Sequence, residues 1–266
     1  MYPNIFHIDF LYSYGVLIAI AFLVALWLSG RMAKRAGLSQ DAVTNLGIYC
    51  ALAAIAGAKI MMFIVDLPRY LEHPGEIFSM STVRAGGVFY GGLIGALVVA
   101  FWYMHRTKLP ALTTADVFAP AIALGHGIGR LGCFAAGCCW GIPSDRPWAV
   151  TFTDPNAERL VGVPLNVPLH PTQLYEAFAE FIIFGVLYWR IRKPHSPGSI
   201  IGMYLILYSA TRFIVEFYRN HEQGNLWGGP FDTSQWISLV LVMLGAWFVY
   251  RSRTLTVTGT PSLQSR

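Results

Sequence analysis

Apolar residues in this chain run in long blocks separated by short polar stretches. The blocks are Leu11–Ser29, Leu46–Val65, Val88–Tyr103, Val117–Cys133, Leu174–Trp189, Ile200–Phe217 and Trp236–Tyr250. A helix needs about 20 apolar residues to cross the hydrocarbon core of a bilayer. Backbone inside a bilayer must satisfy its own hydrogen bonds, which favours helices for such blocks. The two-residue alternation of a membrane β-barrel is absent. The pattern predicts an all-α, polytopic membrane protein with about seven transmembrane helices. The first block has no basic region before it and no small-residue cleavage site after it, so it reads as a retained helix.

The polar stretches add organisation. Asp66–Ala85 and Gly141–Pro171 are long, and the second carries several prolines and charges. It predicts a small external cap at about 141–171, and loops of that length are usually functional when they are ordered. Residues 1–253 read as a single transmembrane domain, and 254–266, rich in Ser and Thr, as a disordered cytoplasmic tail. Loops after the first, third, fifth and seventh blocks hold eleven Lys and Arg residues, and the opposite loops hold five, Arg69, Arg84, Arg146, Arg159 and Arg219. That bias predicts an N-terminus outside and a C-terminus in the cytoplasm.

Composition agrees. Hydrophobic residues make up 55% of the 266-residue chain and charged residues only 12%, about half the share of a soluble domain. The net charge of +5 follows from cytoplasmic Lys and Arg. No clustered basic face points to nucleic acid. The four cysteines, Cys50, Cys133, Cys138 and Cys139, form no paired CxxC framework, so no zinc site is expected.

Ionisable groups inside apolar blocks are costly and mark candidate sites. In His126-Gly-Ile-Gly-Arg130-Leu-Gly-Cys133, His126 and Arg130 are four apart and share a helix face. The surrounding glycines at 125, 127, 129 and 132 either let backbone approach a ligand or serve helix packing. The planar guanidinium suits a phosphate. Tyr204, Tyr208, Arg212, Glu216 and Arg219 fall at spacings of three and four, as one polar stripe. Glu216 can pair with Arg212 or Arg130, and Lys59 can be its counter-ion. The run Arg84-Ala-Gly-Gly-Val-Phe-Tyr90-Gly91-Gly92 offers a phenol among glycines. In His170-Pro-Thr-Gln-Leu-Tyr175-Glu176, a helix start with Glu176 in its first turn competes with a site role.

Together these segments resemble the bacterial prolipoprotein diacylglyceryl transferase family. Gly129-Arg130-Leu131-Gly132-Cys133-Phe134, ending at Gly141, resembles the family signature. Tyr90-Gly91-Gly92-Leu93 stands where the family has His-Gly-Gly-Leu. His170 to Tyr175, Arg212 to Phe217 and Tyr14-Gly15 match further motifs, in order, from roughly residue 12 to 250. Departures are Tyr90 for the family histidine, Cys133 for the signature asparagine, Ala136 for a second one, and His126 where the family more often has an apolar or small residue. Cys133, Cys138 and Cys139 read either as buried packing residues or as a possible external disulfide.

The resemblance implies transfer of the diacylglyceryl group of phosphatidylglycerol to the lipobox cysteine of a prolipoprotein, forming a thioether and releasing glycerol phosphate. Arg130 and Arg212 are then expected to grip the headgroup. His126, then His170, then Tyr90 are the candidate bases. Tyr14, Gly91, Gly92, Gly141, Tyr175, Tyr208, Glu216 and Arg219 are expected to line the substrate. No cofactor, metal or nucleic acid is called for. The lipid and the membrane-tethered signal peptide are the partners, in the bacterial inner membrane. The rival readings are a transporter or channel for a small anionic solute, a thiol–disulfide or quinone-linked redox protein built on Cys138-Cys139, and a non-catalytic lipid-binding scaffold.

Overall fold

The computed structural model describes residues 13–80, 82, 86–220 and 229–257, with side chains to 253. Arg84 and the segment 258–266 lie outside these residues. Every predicted apolar block coincides with a long helix. These are α1 (Ser13–Arg35), α2 (Gln40–Val65), α4 (Phe89–Thr107), α5 (Ala111–Ala136), α7 (Thr172–Ile191), α8 (Ser199–Glu216) and α9 (Thr233–Val257). Between them lie a short α3 (Leu67–Glu72), α6 (Pro155–Val161) and a two-stranded antiparallel ribbon, β1 (Val150–Thr151) with β2 (Pro168–Leu169). Helix α9 continues through residues 254–257, which the sequence assigns to a tail.

Five of the seven long helices are apolar enough by length and composition to cross a membrane; α4 and α7 are not among them. Their exposed faces explain why they still belong with the rest. Helix α7 exposes Phe178, Ile182, Val186 and Trp189 and buries Gln173, Glu176, Glu180, Ile183 and Leu187. Its polar residues face inwards and large apolar ones cover its outer face, the reverse of a helix in water. The two glutamates lower its mean hydropathy without wetting its surface. Helix α4 exposes Leu93, Ile94, Leu97, Val98, Phe101 and Trp102. The chain is a multi-pass helical membrane protein.

The chain forms two compact units, residues 30–114 and residues 13–29 with 115–257. In the 30–114 unit, α2 packs on α4 through small residues. A Cβ on Gly57 would collide with the Gly91 backbone, and one on Gly95 with the Ala53 carbonyl. Lipid supplies no hydrophobic drive between helices, so this backbone approach is what holds the pair.

In the larger unit, α8 and α9 meet the same way, at Gly202 and Gly245. Ala119, Ala123, Ile183, Leu187, Ile200 and Tyr204 form the core between α5, α7 and α8. Asp116, fully buried on α5, accepts hydrogen bonds from the backbone N–H groups of Gly198 (2.7 Å), Ile200 (3.0 Å) and Ile201 (2.8 Å). It thereby caps α8 from another helix, satisfying donors that a helix start leaves open. Segment 141–171 folds around its own small core of Phe152, Ala157, Val163 and Leu169.

Candidate functional site

Glu176 is the hub. Residues 173, 176 and 180 lie three and four apart on the inward face of α7, and all three are buried. Arg130 of α5 reaches one Glu176 oxygen, and the Arg212 Nη1 of α8 donates to the other at 2.8 Å. The Arg212 Nη2 also meets Glu216 Oε2 at 2.7 Å, one turn along α8, and donates to Ser234 Oγ of α9 at 3.2 Å. Thus four helices meet in one charge network. Arg130 and Arg212 are only 15% and 13% exposed, so losing one partner strands a buried charge, at roughly 3–5 kcal/mol.

The two arginines do converge, as the sequence suggests, but a protein carboxylate stands between them. Arg130 pairs with Glu176 rather than Glu216. Lys59 belongs to the 30–114 unit, where it donates to the Thr82 carbonyl at 2.7 Å. The two guanidiniums are not equivalent. Both terminal nitrogens of Arg212 are engaged, whereas Arg130 Nε is buried and has no hydrogen-bond partner among the described residues. Arg130 therefore keeps one buried donor that no described residue uses.

One turn before Arg130, the His126 ring lies 2.9 Å through Nδ1 from Glu180 Oε1. Glu180 is 1% exposed. A buried carboxylate against one ring nitrogen is the arrangement that orients a histidine for proton transfer. Tyr208 packs against the His126 ring at 5.5 Å between centroids and stacks on Tyr204.

His170 belongs to a different group. Its Nδ1 is 2.9 Å from the Tyr175 hydroxyl, which accepts a bond from Trp148 Nε1 at 2.8 Å. Tyr218 packs edge-on against both His170 and Tyr175. Gly141 is a backbone junction. Its N–H donates to the His170 carbonyl, it bridges Arg219, and a Cβ there would strike Tyr218 and His170. Arg219 thus sits where the 141–171 segment joins the end of α8.

The glycines around Arg130 serve packing. Gly125 and Gly132 face α1, at Ala21, Ala25, Leu17 and Tyr14, and Gly127 faces the Phe181 ring. Tyr14 is 43% exposed at the start of α1, beside Gly132. Tyr90, Gly91 and Gly92 lie in the 30–114 unit. Both glycines are buried against α2, and Tyr90 is exposed with its ring against Phe89.

Sequence reading missed Glu180 and weighed a capping role for Glu176 against a site role. The available signal was two glutamates one turn apart inside an apolar run. Three sulfurs, those of Cys133, Cys138 and Cys139, converge within 4.8 Å of one another.

Helices with apolar outer faces around a buried Arg–Glu–Arg network define an integral membrane protein with an intramembrane polar site. The chain belongs to the prolipoprotein diacylglyceryl transferase family, which it matches over residues 3–251. It is similar to proteins named phosphatidylglycerol–prolipoprotein diacylglyceryl transferase. That of Clostridium tetani is 36% identical over 236 residues, 88% of this chain and 90% of the relative. That of Sodalis glossinidius is 36% identical over 254 residues, 88% and 87%. That of Photobacterium profundum is 35% identical over 238 residues, 88% and 85%.

Proposed function

We propose that this chain transfers the diacylglyceryl group of phosphatidylglycerol to the lipobox cysteine of a prolipoprotein in the bacterial inner membrane. The carrying observation is the buried network Arg130–Glu176–Arg212 beside the His126–Glu180 pair, in a chain of this family.

His126 Nε2 takes the proton of the incoming thiol, since thiolate is the nucleophile. Glu180 holds the ring and balances the imidazolium that forms, as a carboxylate does for any histidine base. The thiolate sulfur attacks the carbon of the diacylglyceryl unit that carries the phosphate. A C–S bond forms, the C–O bond to phosphate breaks, and glycerol phosphate leaves. Arg130 Nε donates to the phosphate as charge grows on its oxygens. Arg212 holds Glu176, and through it Arg130, in place. Tyr208 keeps the His126 ring oriented.

The residue assignments sort accordingly. His126 and Arg130 act on the reacting groups, and Arg212, Glu216 and Tyr208 position them. Tyr14, exposed at the start of α1 beside Gly132, meets the substrate from that side. His170, Tyr175 and Arg219 support the 141–171 segment, where the acceptor peptide is received. Tyr90, Gly91 and Gly92 take no chemical step in this scheme. The family match favours this reading over a transporter or channel for a small anion.

The test is mass spectrometry of a lipobox peptide incubated with the protein and phosphatidylglycerol in detergent. The expected product carries one diacylglyceryl increment on cysteine, with glycerol phosphate released in equal amount. An unmodified peptide under conditions that keep a known family member active would refute the proposal.

A further inference from the structure

The sulfurs of Cys133, Cys138 and Cys139 are used by nothing in the scheme above. Cys133 lies in the last turn of α5. Gly137, in the left-handed region at φ 82°, ends that helix and turns the chain back on itself. The Cys133 carbonyl accepts bonds from the N–H groups of Gly137 (3.0 Å) and Cys138 (3.1 Å). Helix α7 then pins the returning strand. Gln173 Nε2 donates to the Cys138 carbonyl at 2.7 Å and Thr172 Oγ1 to the Cys139 carbonyl at 2.8 Å. Both of these side chains are 1% exposed. Cys139 itself has φ 63°, a conformation that costs a non-glycine residue about 1–2 kcal/mol. The surrounding structure holds a strained residue so that its thiol turns towards two others.

The mutual approach within 4.8 Å is meaningful in size. Three sulfurs bound at about 2.3 Å to one ion in a plane stand about 4 Å apart. The sulfurs therefore stand within about 0.8 Å of the spacing of a trigonal thiolate set. Among the described residues no fourth His, Cys, Asp or Glu joins it. Thiolates select soft ions such as Cu(I) and Zn(II) over hard ones.

We propose that Cys133, Cys138 and Cys139 form a three-thiolate site for one thiophilic metal ion, which staples the end of α5 to the strand held by α7. This revises the expectation from sequence, where the absence of a CxxC framework argued against metal. Spacing hides the site because Gly137 folds the chain back between the ligands. Arg130 is three residues from Cys133, so the ion fixes the helix end that carries the headgroup arginine. The inference does not depend on lipid transfer.

The experiment uses the full chain with Cys50→Ser, purified in detergent, reduced, and freed of reductant without oxygen. Cu(I) is delivered from a competing chelator, and Cd(II) is added separately as a spectroscopic probe. The expected result with either ion is one ion per chain, a thiolate-to-metal charge-transfer band, and three thiols protected from alkylation. Single Cys→Ser changes at 133, 138 or 139 should each weaken binding by at least the roughly 10–100-fold that loss of a supporting outer group costs a metal site. Alkylation and a metal-dependent rise in melting temperature are read on the parent, so they stand even if a variant fails to fold. Absence of both ions, thiols that alkylate fully in their presence, or binding unchanged in the three serine variants would overturn the proposal. So would a disulfide among these cysteines that persists through reduction.

Discussion

At the scale of single residues, His126 and Arg130 share a helix face one turn apart, and each has a different glutamate of α7 behind it. The proposed function gives proton transfer to His126 and charge stabilisation to Arg130. Replacing His126 with Gln keeps a polar side chain but removes the base, and turnover of a reporter prolipoprotein should fall by about 100-fold or more. His170→Gln should lose much less, because His170 is tied to Tyr175 and Trp148 in the cap. Equal losses in the two variants would move the base to His170. The histidine and both arginines were legible from sequence, since charges in apolar runs stand out. Their partners were less so. A glutamate in a first helical turn reads as a cap, and nothing local in Glu176 says that two arginines more than thirty residues away on either side will reach it.

At the scale of elements, the apolar blocks located all seven long helices. The block edges shifted by a few residues, because helix ends are fixed by caps rather than by hydropathy. Val88 is the residue before α4 and Phe217 the residue after α8. The small elements were harder. Helix α6 has only two turns, and its signal was local: Asp154 accepts from the Asn156 N–H at 2.8 Å, with Pro155 at the first position. The role of Asp116 was invisible, since it caps a helix some eighty residues downstream. Asp116→Ala should leave three buried N–H donors unmet and lower stability by about 2–4 kcal/mol. Thermal unfolding in detergent would read this as a clear drop in midpoint. An unchanged midpoint would mean that water replaces the carboxylate.

At the scale of the whole molecule, polarity is turned inside out. Apolar side chains on α4 and α7 face outwards, and the charge network of α5, α7, α8 and α9 is enclosed. The distribution of Lys and Arg predicts an N-terminus outside and a C-terminus in the cytoplasm. Reporter fusions at the C-terminus should be active only if they work in the cytoplasm, and fusions within 141–171 only if they work outside. The opposite pattern would place the cap in the cytoplasm and exclude a signal-peptide acceptor arriving there. The sequence carried this level well, because lipid selects surface residues as strongly as water does. Three-dimensional convergence, as of the three sulfurs, is where a linear reading stops.

The central claim is that Arg130, steadied by Glu176 and Arg212, carries the lipid phosphate through the reaction. The direct measurement is the rate of diacylglyceryl transfer from phosphatidylglycerol to a lipobox peptide by Arg130→Lys, which keeps the charge and loses the fork. The account predicts a loss of about 10²–10³-fold in a variant that still inserts and folds. Turnover at the rate of the parent protein would contradict it.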